Sequence, residues 1–199
     1  MHKLNRPIEL NELTIARNAY TGTISQDEAW KNFGNNGDRT KVREQLEDIQ
    51  NDLCAYCENS LENNGHIDHF NPKSSHWRLV FDWDNLVVSC SHSSSCGGKK
   101  DKRFEAYWIN PYVVDPQEMF TFYSDGQING NSADAKNIIK DFGLDCARLE
   151  QKRKGVLSSL RQVILTLESE PEALNYFLEE ELNIFPTASK QVIDKLIGE

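Results

Sequence analysis

The chain of 199 residues reads as an α+β protein: a small metal-clamped module set into a mostly helical domain. Three observations predict this. Four of the five cysteines fall between Cys54 and Cys96 as two pairs. Apolar residues recur at helical spacing on both sides of them, and strand-like stretches lie between the pairs and again at residues 119–128.

The first 20 or so residues hold scattered apolar positions and one proline, and read as an extended, partly ordered arm. Ser25-Gln26-Asp27-Glu28 matches a capping box, with Trp30 and Phe33 behind it, so a short helix starts there. It stops at the Gly34 to Gly37 cluster. Asp38 can cap the next helix, whose apolar face is Val42, Leu46, Ile49 and Leu53, and this helix delivers the chain to Cys54.

After the cysteine-bearing stretch comes an aromatic segment from Phe104 to Tyr112. The run from Met119 to Ile128 reads as a hairpin, with Asp125-Gly126 supplying the positive φ angles of a tight turn. Ile138, Ile139 and Phe142 then form a short helix face closed by Gly143. Leu149, Val156, Leu160, Val163, Ile164 and Leu167 line a longer amphipathic helix. Pro171 opens a further helix with Leu174, Phe177, Leu178 and Leu182, and Pro186-Thr187 a last one with Val192, Ile193 and Leu196. The run Glu179 to Glu181 reads as a solvated face. The expected division is an N-terminal arm with helices (1–53), the cysteine-clamped module (54–103), and a hairpin with C-terminal helices (104–199), together one compact unit.

A net charge of −9 argues against a protein that coats nucleic acid by bulk electrostatics. No stretch approaches a membrane span and no secretory leader is visible, so a soluble cytoplasmic protein with no membrane partner is expected. Cysteines stay reduced there, so paired cysteines point to metal before disulfides.

Cys54 and Cys57 have knuckle spacing, in which a turn aims both sulfurs at one ion. Five residues separate Cys90 from Cys96, which is looser, and His92 and Cys146 compete with Cys96 as the fourth ligand. Cys96 is preferred, because the loop between is small and polar enough to fold aside; Cys146 then reads as a small hydrophobe. Four thiolates leave no open coordination position, so this Zn²⁺ is structural.

Inside the clamp, residues 66–73 read as a strand ending at Pro72. A strand that ends there lets Asp68 hold a hard cation while His69 faces a substrate, which suits phosphodiester hydrolysis. His66 serves either as a second base or to orient Asp68. From residue 71 to 103 six Lys/Arg, among them Lys73, Arg78, Lys99 and Lys100, stand against three acids, a local surplus suited to holding phosphates. Trp77, Trp83 and Trp108 read as core, and His76 is given no role.

Cys-x-x-Cys, Asp-His-x-x-Pro-Lys, Trp-Asp-Asn-Leu, then Cys and a Cys followed by lysines resembles the HNH (ββα-metal) endonuclease motif over residues 54 to about 103. The wording CAYCE, HIDHFNPK and DWDNLVVSC further resembles the PtuB family, the HNH subunits encoded with an AAA/ABC-type ATPase in Septu and some retron anti-phage systems. The resemblance implies a metal-dependent endonuclease acting on DNA or RNA, partnered in a hetero-oligomer by a PtuA-like ATPase. It implies His69 as general base, Asp68 as ligand of a catalytic Mg²⁺ or Mn²⁺, and Asn85 as brace of the loop carrying His69. It implies Cys54, Cys57, Cys90 and Cys96 as the zinc cage. One departure stands out: Gly97 occupies the place where HNH proteins usually put another metal ligand. Either His92 takes over, or Asp68 holds the ion with water and phosphate. The rival expectation is a zinc-stabilised, catalytically weak interaction module docking on the ATPase.

Overall fold

The computed structural model describes all residues except 2, 7, 63, 168–171, 174, 175, 178–183, 198 and 199. The helix expected to open at Pro171, with Leu174, Leu178 and Leu182, and the run Glu179 to Glu181 lie outside the described residues.

Among the described residues, helices and two small two-stranded sheets make a mixed α+β fold, and the first sheet ends at Cys90. Strand β1 (Gly65–His69) pairs antiparallel with β2 (Leu86–Cys90), setting His69 opposite Leu86 and Asp68 opposite Val87. The short helix α4 (Cys96–Lys100) follows and packs on β2.

The N-terminal segment departs from expectation. Residues 11–19 form helix α1 (Asn11–Ala19), and the arm before it is pinned rather than loose. The Leu4 amide donates to the Pro111 carbonyl at 3.0 Å, and the Arg6 guanidinium lies 3.4 Å over the Tyr112 ring while donating to the Leu86 carbonyl. The local signal was weak because no side chain caps α1 and, of its own residues, only Leu13 is fully buried.

Helix α2 (Gln26–Asn35) starts as read, with Ser25 Oγ accepting from the Glu28 amide. Helix α3 (Asp38–Ile49) is capped by Gly37 rather than Asp38, at φ +81°. It buries Val42 and Leu46 and ends at Gln50. The buried Gln50 side chain then bonds both backbone groups of one β2 residue: its amide donates to the Val88 carbonyl and its oxygen accepts from the Val88 amide, each at 2.8 Å. A side-chain amide thus serves as a strand partner and locks α3 to the sheet.

The second sheet pairs β3 (Phe120–Phe122) with β4 (Ile128–Gly130). Its connection is longer than a two-residue turn, and of Asp125-Gly126 only Gly126 takes positive φ, +90°. Helix α5 (Ala133–Phe142) is capped by Ser132 and closed by Gly143 at φ +58°, with the Leu144 amide returning to the Ile139 carbonyl.

Helix α6 (Ala147–Leu167) buries Leu149, Leu157, Leu160 and Ile164, together with Arg153. The Arg153 guanidinium donates to the Gly126 and Leu144 carbonyls, tying the hairpin turn and the end of α5 to α6. Helix α7 (Pro186–Ile197) packs Val192 and Ile193 inward. Among the described residues no helix is long and apolar enough to cross a membrane.

Candidate metal cage and catalytic cleft

The sulfurs of Cys54, Cys57, Cys90 and Cys96 lie within 4.8 Å of one another. A tetrahedron with Zn–S of about 2.3 Å needs sulfurs roughly 3.8 Å apart, so the four can hold one such ion. Cys146 and His92 are not in the cluster. The Cys90 amide points at Cys54 Sγ (3.4 Å), an N–H···S contact that favours thiolate. Hydrogen bonds from the other three, led by Cys54, push the Cys90 thiol far down, while burial pushes Cys96 up. Four sulfurs this close and this buried cannot all ionise unless a cation joins them.

The cage reaches outward through its neighbours in sequence. Between its first two ligands sits Tyr56, fully buried, whose hydroxyl donates to Asp68 Oδ2 at 2.5 Å. Burial, then the Asp68 charge, pushes the Tyr56 phenol well up, so it stays protonated as a donor. From the last ligand, α4 runs to Lys100. Its ammonium is completely buried and lies 3.2 Å from each Asp68 oxygen and 2.7 Å from the His69 carbonyl. Lys100 was expected to bind nucleic acid. It is instead committed to the Asp68–His69 step and closed to solvent.

His69 is 6% exposed, with its ring edge-on to Trp30 at 4.7 Å between centroids. Its Nε2 lies 3.0 Å from the Val80 carbonyl, which can only accept, so Nε2 carries the hydrogen and Nδ1 the lone pair. Burial lowers its pKa from 6.5 to about 4 against the opposing pull of the Val80 bond, leaving the imidazole neutral near pH 7. Asn85, 3% exposed, bridges the two loops that flank this ring. Its Oδ1 accepts from the Asn71 amide (2.7 Å), and its Nδ2 donates to the Asn71 and Leu79 carbonyls.

Asp68, His69 and His66 line one cleft of about 220 Å³ with Gly97, Asp27, Lys73, Asp101 and Lys102. Strand alternation sends His66 and Asp68 to one side. A Cβ at Gly97 would stand 2.9 Å from Ser89 Oγ, 3.1 Å from His66 Nε2 and 3.3 Å from Asp68 Cγ, closer than ordinary contact, so glycine lets α4 start tight against the imidazole and carboxylate where they line the cleft. Ser91 Oγ donates to the Asn64 carbonyl, so it accepts from His66 Nδ1 at 3.2 Å. That assigns the His66 hydrogen to Nδ1 and leaves the lone pair on Nε2.

The other expected residues divide. Lys73 lines the cleft but is paired with Asp27 at 2.6 Å. Arg78 is exposed and lies 4.9 Å over the Trp77 ring, itself 39% exposed and so not core, unlike Trp83 and Trp108. Lys99 is exposed and runs past Gly143. His92 sits on an exposed loop with Nδ1 bonded to Ser94 and does not line the cleft, so it does not replace the ligand absent at Gly97.

Tyr56 was missed, and Lys100 was read as a phosphate contact and not as a partner of Asp68. The readable signals were an aromatic residue held between two ligands and a lysine one helical turn after Cys96.

No family model matches the chain. Septu protein PtuB of Bacillus thuringiensis is 33% identical over 88 residues, which are 41% of this chain and 34% of that protein. Retron Vc95 putative HNH endonuclease of Vibrio cholerae serotype O1 biovar El Tor is 28% identical over 154 residues, 69% of this chain and 74% of that protein. The chain thus spans about a third of the PtuB relative and about three quarters of the retron relative. By these two similarities and by its own motifs, the chain resembles an HNH nuclease of the PtuB kind.

Proposed function

We propose that this protein is an HNH-type endonuclease that hydrolyses phosphodiester bonds of DNA or RNA with Mg²⁺ or Mn²⁺, as the effector subunit of an anti-phage system working with an AAA/ABC-type ATPase. In this reading β1, β2 and α4 are the ββα-metal module. The observation that carries it is a neutral His69, fixed by Val80 with Nδ1 free, in one cleft with a carboxylate held by Tyr56 and Lys100. His66 Nε2 and the Asp68 carboxylate, which line one cleft, would hold a divalent cation there, with His66 supplying the ligand that Gly97 does not. Such a cation would neutralise charge on the scissile phosphate and the leaving oxygen.

The chain's own residues do the rest. His69 Nδ1 takes a proton from water as the water oxygen attacks phosphorus. Asn85 holds the loop that aims His69. Tyr56 and Lys100 keep Asp68 from rotating, so one carboxylate face stays turned to the cleft. Cleavage breaks the bond from phosphorus to the 3′ oxygen and leaves a 5′-phosphate, the outcome the HNH resemblance implies.

The second reading, a zinc-stabilised interaction module with weak catalysis, draws on one feature: the Lys100 ammonium at 3.2 Å already balances the Asp68 charge and opposes a second cation.

The test is cleavage of plasmid DNA and of total tRNA with Mg²⁺ or Mn²⁺, by wild type and His69→Ala, with and without the ATPase and ATP. Metal-dependent cutting that His69→Ala abolishes supports the nuclease and identifies its polymer. No cutting under any condition, by protein holding one zinc and binding the ATPase, moves the assignment to the interaction module.

A further inference from the structure

A second cleft, of about 320 Å³, adjoins the first and shares His66 and Ile67 with it. Its other lining residues are Trp30, Arg39, Thr40, Arg43 and Gly65. Trp30 is also the ring packed against His69, so the two clefts are separated by one strand segment and one indole.

Arg39 and Arg43 lie one turn apart on α3, where side chains four residues apart share a face. The Arg39 guanidinium makes no hydrogen bond or ion pair with any described residue. It lies over Gly34, where a Cβ would stand 2.8 Å from its Cζ, so the glycine gives it a seat. Arg43 has one partner among the described residues, Glu47, at 3.7 Å, and its buried Nε has no hydrogen bond. Neither guanidinium is therefore taken up by a close carboxylate among the described residues.

We propose that Arg39 and Arg43 form a subsite for the phosphodiester backbone, holding phosphates flanking the one that is cut. This rests on the nuclease reading. Guanidinium groups bind phosphate through paired N–H donors in a fixed plane. Here they stand across β1 from the hydrolytic cleft, so a strand bound to them is led past His66 to His69. The Lys73 ammonium near His69 is already paired with Asp27 and the Lys100 ammonium is buried, so the arginines and Lys102 are the cations open to phosphate around the two clefts. Backbone contact carries no base identity, so the subsite serves DNA and RNA alike.

The test measures binding of a labelled 30-bp DNA duplex and of labelled tRNA across a salt series, using full-length protein with its zinc. His69→Ala is compared with the same protein carrying Arg39→Ala and Arg43→Ala, and with one carrying Arg39→Lys and Arg43→Lys. Loss of both guanidiniums is expected to weaken binding by tenfold or more and to make the salt slope shallower by about 1 to 2. The lysine pair is expected to keep the slope while losing part of the affinity, which separates lost charge from lost fold. Mn²⁺ binding is expected to be unchanged in both. Unchanged affinity and slope for both polymers, in a protein whose wild type cuts one of them, overturns the subsite alone. A wild type that neither binds nor cuts either polymer overturns the nuclease reading and the subsite with it.

Discussion

His69 is a histidine whose burial sets its chemistry. Above pH 6.5 it is neutral in folded and unfolded chains alike. Between 6.5 and about 4 the unfolded chain takes up a proton that the folded one refuses, so stability falls with pH, by up to about 3 kcal/mol, and levels off below 4. Its ring protons are therefore expected to titrate near pH 4 by NMR, and His69→Gln to flatten the loss of denaturant midpoint between pH 7 and 5. A titration near 6.5 contradicts the buried, Val80-bonded ring. Tyr56 gives a second test at this scale. Tyr56→Phe deletes one donor to Asp68 with little change of volume, and is expected to lower kcat about tenfold with KM little changed, as for a residue that acts through Asp68. An unchanged kcat removes Tyr56 from the account.

At the scale of elements, the helices with strong end signals were legible. Ser25 and Gly143 cap where they were read, because each supplies a local bond or a left-handed φ that needs no distant partner. Helix α1 was not legible, since what holds it is remote: Leu13 is buried by tertiary packing and no side chain caps its start. The hairpin was placed correctly but its turn was not, because Gly126 answers to α6 as well as to the turn. A Cβ there would come 2.2 Å from the Glu150 carbonyl, at φ +90°. Gly126→Ala is thus expected to destabilise the protein by about 2–4 kcal/mol, with a fall in Tm measured by circular dichroism. A change below about 0.5 kcal/mol means that the hairpin does not rest on α6.

Across the whole molecule the cage joins parts that are far apart in sequence. Glu58, next to Cys57, bonds Thr187 at the start of α7 through both carboxylate oxygens and pairs with the Met1 ammonium at 3.0 Å. Ser95, next to Cys96, accepts from Arg148 on α6. Zinc in four-thiolate sites contributes on the order of 10 kcal/mol, comparable to a whole domain's stability. Removing it with a chelator is expected to unfold the chain cooperatively, including helices that never touch the cage. Retention of helical content in metal-free protein contradicts this.

The cysteine cluster was legible because ligand spacing is a local pattern. The ties from Tyr56 and Lys100 to Asp68, and the close approach of Gly97 to His66 and Asp68, were not. They depend on β1, the knuckle and α4 meeting in space.

A metal-dependent centre requires that the cleft lined by His66, Asp68 and Gly97 hold a divalent cation. The direct measurement is Mn²⁺ binding to zinc-loaded protein, followed by electron paramagnetic resonance. One site per chain is expected, weakened at least tenfold in Asp68→Asn and in His66→Ala and kept in His69→Ala. No bound Mn²⁺ in wild type, or binding indifferent to Asp68 and His66, contradicts a metal-dependent centre in this cleft.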